Sequence, residues 1–190
     1  NRLLETILVA AKTITHAAGG TLYRVTEDER SLRFEIVRTD SLKIAMGGTS
    51  GNPIPFPLLP LRTESGEENN SMVAAYAAIH QKTVNIADAY QAEGFDFSGT
   101  RKFDERTGYR SQSFLTVPMK NHENAVIGVL QLLNSIDTDT GKVTPFSAAD
   151  QRLAESLASQ AAIALTNRQL ISQLEVLFES SEISVMGIAE

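Results

Sequence analysis

The stretch Ser113 to Asn134, SFLTVPMKNHENAVIGVLQLLN, holds two apolar runs, Ser113 to Met119 and Ala125 to Asn134, around the polar segment Lys120 to Asn124. That is the composition of two strands joined by a hairpin turn. Both runs are nearly continuous in their apolar character rather than strictly alternating. A strand of that kind sits in the middle of a sheet that is covered on both faces. The rest of the chain must therefore supply two covering layers.

Downstream, the polar loop Asp137 to Thr144 ends on Pro145-Phe146-Ser147, and a long apolar periodicity begins. Leu153, Leu157, Ala161, Ala164, Leu165, Ile171, Leu174 and Phe178 repeat at helical spacing, over more length than one small domain covers. Part of this helix is expected to meet another chain or domain. Ser147-Ala-Ala-Asp150 has the spacing of a capping box, and Phe146 just before it can staple the first turn.

Upstream, Leu3, Leu4, Ile7, Leu8, Ala11 and Ile14 give a first helix with one apolar face, and Gly19-Gly20 reads as its stop. Thr21 to Thr26 and Ser31 to Thr39 flank Glu27-Asp28-Glu29-Arg30 as a hairpin. Residues 40–68 hold four of the six prolines and the run Gly47-Gly48-Thr49-Ser50-Gly51, which allows at most an edge strand in a long, flexible connection. Asn70 or Ser71 caps a further helix whose buried stripe is expected at Met72, Val73, Tyr76 and Ile79. Val84-Asn85-Ile86 reads as a short strand, and Asp88 to Gln112 as loop plus a short helix. The expected fold class is α+β: a central antiparallel sheet with helices packed on it, the N- and C-terminal helices lying together as a bundle.

Composition narrows the chemistry. With 190 residues, a single core is expected, carrying helical extensions. There is no cysteine, which removes disulfides, thiolate metal sites and thiol nucleophiles, and fits a reducing cytoplasm. A net charge of -6 without a basic cluster argues against a nucleic-acid partner. No apolar run reaches the ~20 residues needed to cross a bilayer. The histidines His16, His80 and His122 stand alone, and Asp137-Thr-Asp-Thr-Gly141 lacks the later ligands of a calcium loop, so no metal site is expected. No nucleophile or paired acid and base suggests catalysis.

The series TVNIADAY, FDERTGYRSQSFLTVPM, VIGVLQLLN and FSAADQRLAESLASQAAIAL resembles the GAF domains, in particular those of cyclic-nucleotide phosphodiesterases and bacterial signalling proteins. The resemblance implies a sensor domain over residues 1–166, with a small-molecule ligand, a cyclic nucleotide being one candidate. Residues 167–190 resemble a connecting helix leading to an HD-type phosphohydrolase output domain beyond this chain. A homodimer through the terminal helices is implied as well.

The resemblance also assigns residues. A pocket closed by the segment after the short strand would be lined by Asp88, Tyr90, Phe95, Phe103 and Tyr109, with Asp88 accepting hydrogen bonds from a bound base and the rings stacking on it. Asp88 reads equally as a helix cap, and the rings as the lid's own small core. The family's nucleotide-binding members carry Asn and Lys at a strand end, then Phe, then Asp and Glu on the last helix. Here Asn134, Phe146 and Asp150 match, whereas Ser135 and Gln151 replace the Lys and the Glu. Without the Lys, the family's Lys–Asp ion pair has no counterpart. A ligand-free dimerisation and relay module is the alternative function.

Overall fold

The computed structural model describes residues 2–188, and side chains up to residue 182. Among the described residues eight strands form one antiparallel sheet: β1 (Ala17–Val25), β2 (Ser31–Thr39), β3 (Ile44–Gly47), β4 (Leu59–Pro60), β5 (Val84–Ile86), β6 (Phe114–Lys120), β7 (Val126–Ile136) and β8 (Val143–Thr144). The order is β3-β2-β1-β7-β6-β5, with β4 on β2 and β8 on β7. The hairpin of the opening stretch is β6–β7, and β7 is central between β1 and β6.

Helices α1 (Arg2–Thr15) and α4 (Ala148–Ile188) cover one face. Leu4, Leu8, Ala11, Leu22, Ile36, Leu115, Met119, Leu130, Leu132, Phe146, Ala154, Ala158 and Leu165 share that core. The other face carries α2 (Val73–His80) and a lid, residues 87–113, that contains α3 (Ser98–Thr107). Ala74 and Ala78 of α2 pack there on Tyr23, Leu32 and Val129, while Val73 joins Ile86, Ala89, Phe97 and Phe114. Both faces of the central hairpin are therefore covered.

Three expectations are corrected. Helix α1 ends at Thr15, where His16 takes a left-handed conformation (φ 55°), and Gly19-Gly20 lie inside β1. Those glycines serve close approach: a Cβ on Gly20 would stand 2.7 Å from Leu8 Cδ1, and one on Gly19 2.9 Å from the Arg38 carbonyl. The buried face of α2 is Val73, Ala74, Ala75, Ala77 and Ala78, with Met72, Tyr76 and Ile79 only half-buried and no side-chain cap at its start. Small residues let this short helix lie close to the sheet. Finally, the glycine-rich segment is tethered, since Thr49 donates from both its N–H and its hydroxyl to the Glu5 carboxylate.

Gly128 is a sharper case on the central strand. A Cβ there would meet the Tyr23 carbonyl oxygen at 2.4 Å and Met119 Cε at 2.1 Å. Met119 has rotamers to spare, but the β1 backbone does not. Gly128→Ala is expected to lower stability by about 1–3 kcal/mol, read as a shift of the urea midpoint.

Candidate functional site

The lid is fixed to the sheet through buried Asn134 and held together internally by buried Asp104. Asn134, 1% exposed at the end of β7, adopts φ 54°, a conformation that Asn tolerates better than most side chains. Its Oδ1 accepts from the N–H groups of Gln112 (2.7 Å) and Ser113 (3.1 Å), and its Nδ2 donates to the Tyr109 hydroxyl and the Arg110 carbonyl, both at 2.9 Å. All its main polar capacity is thus spent on the C-terminal end of the lid.

Asp104 of α3, 4% exposed, accepts from the Tyr90 hydroxyl, the Ser111 N–H (2.9 Å) and the Ser111 hydroxyl (2.8 Å). Bonding to Asp104 raises the Tyr90 pKa, with desolvation adding to it. The guanidinium groups of Arg110 (3.6 Å to the centroid) and Arg101 (4.2 Å) both lie over the Tyr90 ring. Arg110 also makes a two-pronged contact with Asp88, at 2.8 and 2.9 Å, and Asp88 accepts from the Tyr90 N–H.

Desolvation pushes the Asp88 pKa up, but its bonds to Arg110 and to the Tyr90 N–H outweigh that, and the net direction is down from 3.8. A depressed folded-state pKa gives stability that is present above the unfolded value and lost as pH falls through the folded one. Unfolding measured from pH 6 down to pH 2 should therefore show a loss of stability below about pH 4 that is smaller in Asp88→Asn. Equal slopes for the two proteins would contradict the pairing.

The sequence-assigned residues lie on both faces of the sheet, and Tyr90 and Phe95 pack against one cluster beneath the lid. Asp88, Tyr90, Tyr109 and Asn134 belong to this one network. Phe95 packs edge-on against Tyr76 (5.3 Å between centroids) and Phe97 (6.4 Å), and Phe103 is half-buried with Arg106 above its ring. Phe146 and Asp150 lie with α4, on the opposite face of the sheet. Phe146 is buried in the core there, and Asp150 and Ser147 form the reciprocal capping box, at 3.1 and 3.3 Å. At the position of the family's Lys, Ser135 donates to the Thr15 carbonyl, joining β7 to the end of α1. Asp137 accepts from the N–H groups of Asp139 and Thr140, so the acidic loop is a self-bonded turn.

The sheet face beneath the lid holds residues that the sequence reading does not single out. Cross-strand pairing lines up Val37, Thr21, Gln131, Thr116 and Val84 in one row. Gln131 Nε2 donates to Thr116 Oγ1 at 2.9 Å, and the Tyr23 hydroxyl lies 3.5 Å from Gln131 Oε1. Burial pushes the Tyr23 pKa up. Thr21 and Gln131 stay half-buried although β1 and β7 are inner strands, so the lid leaves part of this polar row uncovered. Tyr23, Phe34 and Phe56 form a chain of rings on one side of the row, and Phe114, Phe97, Phe95 and Tyr76 form another on the lid side. Period-two alternation places Thr21, Tyr23, Gln131 and Thr116 on one face, but nothing local marks that face as the one under the lid.

The comparisons agree with this architecture. A dual 3′,5′-cyclic-AMP and -GMP phosphodiesterase 11A of Takifugu rubripes is 33% identical over 100 residues, which is 53% of this chain and 10% of the relative. The dual phosphodiesterase 11 of Drosophila melanogaster is 36% identical over 106 residues, 55% of this chain and 7% of that one. The chain thus spans a tenth or less of the length of these relatives. Among solved structures, a GAF domain/HD domain protein from Geobacter sulfurreducens superposes with a TM-score of 0.59 at 16% identity, covering 89% of this chain and 93% of that one. The GAF domain of an Acinetobacter phosphoenolpyruvate-protein phosphotransferase does so with a TM-score of 0.57 at 16% identity, covering 90% and 86%. The GAF domain profile matches residues 1–165, and the chain belongs to the GAF domain family.

Proposed function

We propose that this domain is a regulatory sensor in which a small planar molecule binds over the Thr21–Gln131–Thr116 row, and that occupancy is passed through α1 and α4 to an output domain. The half-buried polar row between two sets of aromatic rings carries this reading. An amide and two hydroxyls supply both donors and acceptors, and the flanking rings suit a flat heteroaromatic body. Cyclic nucleotides are the first candidates, because the phosphodiesterase relatives are named for cyclic AMP and cyclic GMP. In this reading residues 1–166 sense, and residues 167–190 connect to an output domain such as a phosphohydrolase.

Ligand binding shifts an equilibrium only by its preference for one arrangement of the lid and helices. Thermal unfolding with cyclic AMP or cyclic GMP tests the first step. At a hundredfold excess over its dissociation constant a ligand adds about 2.7 kcal/mol, or roughly 5–10 °C for a domain of this size. Gln131→Leu, which keeps the bulk and removes the amide, is expected to cancel that rise. A midpoint unmoved by either nucleotide would remove cyclic nucleotides from the proposal, and a rise that Gln131→Leu preserves would remove the site.

The helices supply the second step. Leu170, Ile171, Leu174, Leu177 and Phe178 are 51–66% exposed on α4 and follow coiled-coil spacing. We assign this face to a homodimer. Sedimentation should give a dimer for residues 1–190 and a monomer for residues 1–166, and equal masses per particle for both would contradict it.

A further inference from the structure

A cavity lies away from the row beneath the lid, at the end of the sheet where α1 stops. This open cleft of about 890 Å³ is bounded by the last turn of α1, the start of β1, the ends of β2 and β7, and the Tyr109–Arg110 end of the lid. Val9, Ala17, Ile136 and Val143 give it apolar walls, and Lys12, Tyr109 and Arg38 bring donors to it.

Lys12 is the unusual member. Its side chain is 7% exposed, and its ammonium bonds to one group, Asp40 Oδ1 at 2.6 Å, which itself belongs to a side chain 72% exposed. An ammonium carries three N–H donors, and a buried one is costly unless they are used. Two of the three have no acceptor among the described residues. The Tyr109 hydroxyl accepts from Asn134, yet its own proton has no acceptor among those residues either. The guanidinium of Arg38 is ion-paired with Glu5, and its buried Nε–H has no hydrogen-bond partner among the described residues. Tyr109 is half-buried, whereas Lys12 is buried, and buried donors left unmet are uncommon in folded proteins. Asp40 is the one carboxylate among the described lining residues, and its side chain faces water rather than being packed.

We infer that this cleft binds a small organic anion, a carboxylate or phosphate monoester with an apolar body. Its anionic head meets the Lys12 ammonium and the Tyr109 hydroxyl, displacing Asp40, and its body lies against Val9, Ala17, Ile136 and Val143. Size and lining match: the cleft has room for a body of ring size, and charge-assisted bonds to a partly desolvated ammonium are the strong kind. The site would bear on regulation directly. Lys12 is in the last turn of α1, and Tyr109 is bonded to Asn134, so an anion held by both spans the terminal helix and the lid anchor. This site is independent of the row beneath the lid, and either can stand without the other.

The probes are benzoate and phenyl phosphate, with benzyl alcohol as the uncharged control, titrated into the ¹⁵N-labelled 190-residue chain. Saturable amide shifts are expected at Ala17, Ala18, Tyr109 and Ile136 with at least one of the two anions and not with the alcohol, leaving Thr21 and Gln131 unmoved. Lys12→Met is expected to weaken binding about tenfold or more, as loss of one buried charged partner does. Asp40→Ala is expected to tighten it several-fold, because the competing carboxylate is gone, and this exposed position does not depend on the Lys12 variant folding. No saturable shift with either anion up to about 20 mM, weaker than any millimolar site, would overturn the inference. So would shifts at Thr21 and Gln131 alone, or an affinity that Asp40→Ala leaves unchanged.

Discussion

Asn134→Ala is expected to be among the most damaging single changes in this domain, costing about 3–5 kcal/mol and roughly 10 °C in the unfolding midpoint. Four hydrogen bonds vanish at a position 1% exposed. The Gln112 and Ser113 N–H groups are then left without their side-chain acceptor, and for buried Ser113 that costs more than the net worth of a hydrogen bond. The left-handed backbone adds strain that Asn tolerates and Ala does not. Asn134→Gly separates the two parts, since it loses the same bonds without the strain, and should fall about 1 kcal/mol short of the Ala variant. Urea unfolding of the three proteins measures both differences. A cost below about 1 kcal/mol for Ala, the net worth of a single hydrogen bond, would mean that the lid is not held through this amide.

Glu5→Ala is expected to cost about 2–4 kcal/mol. Glu5 on α1 is 9% exposed and pairs with Arg38 of β2, whose side chain is 26% exposed. The same carboxylate accepts from Thr49, so one residue joins the first helix, the second strand and the glycine-rich segment. Removing it leaves Arg38 charged and mostly buried, and breaking a buried pair is strongly destabilising for that reason. Arg38's partial exposure keeps the expected loss below that of a fully dry pair. The corresponding double variant, Glu5→Ala with Arg38→Met, should recover part of the loss because no lone charge remains. A double variant no more stable than Glu5→Ala would contradict the pairing.

Periodicity carried most of the fold. β2 and β5 coincide with their sequence-read bounds, β6 and β7 lie within a residue or two of theirs, and the long last helix starts one residue from its expected start, because alternation, continuous apolar runs and helical repeats report burial directly. The errors have a common cause. Gly19 and Gly20 look like a helix stop in one dimension, but their lack of a Cβ answers the approach of Leu8 and β2, contacts made across the fold. In α2 the alanines carry no strong local signal, and only the proximity of the sheet decides that they, rather than Tyr76 and Ile79, are buried. Thr49 reads as part of a loose connection because its partner is 44 residues away.

The candidate site was legible by half. Asp88, Tyr90, Tyr109 and Asn134 are marked through resemblance, and they converge in space. Their observed work is to hold the lid, through Arg110, Asp104 and Ser111, which carry no separate sign in one dimension. The Ser147–Asp150 capping box was readable from four adjacent residues, since both partners lie within one helical turn. Gln131 and Thr116 were not readable, because their importance comes from strand register and from what the lid leaves uncovered.

Backbone hydrogen exchange on the 190-residue chain, with and without saturating cyclic GMP or cyclic AMP, tests the central claim most directly. One of the two nucleotides should slow exchange together in the lid (residues 87–113), in the β1 and β7 segments around Thr21 and Gln131, and in the last turn of α1, where Ser135 and Thr15 connect sheet to helix. Exchange unchanged by both nucleotides in all of these segments, or slowed in the lid with α1 and α4 unaffected, would contradict a sensor that binds above the sheet and reports through its terminal helices.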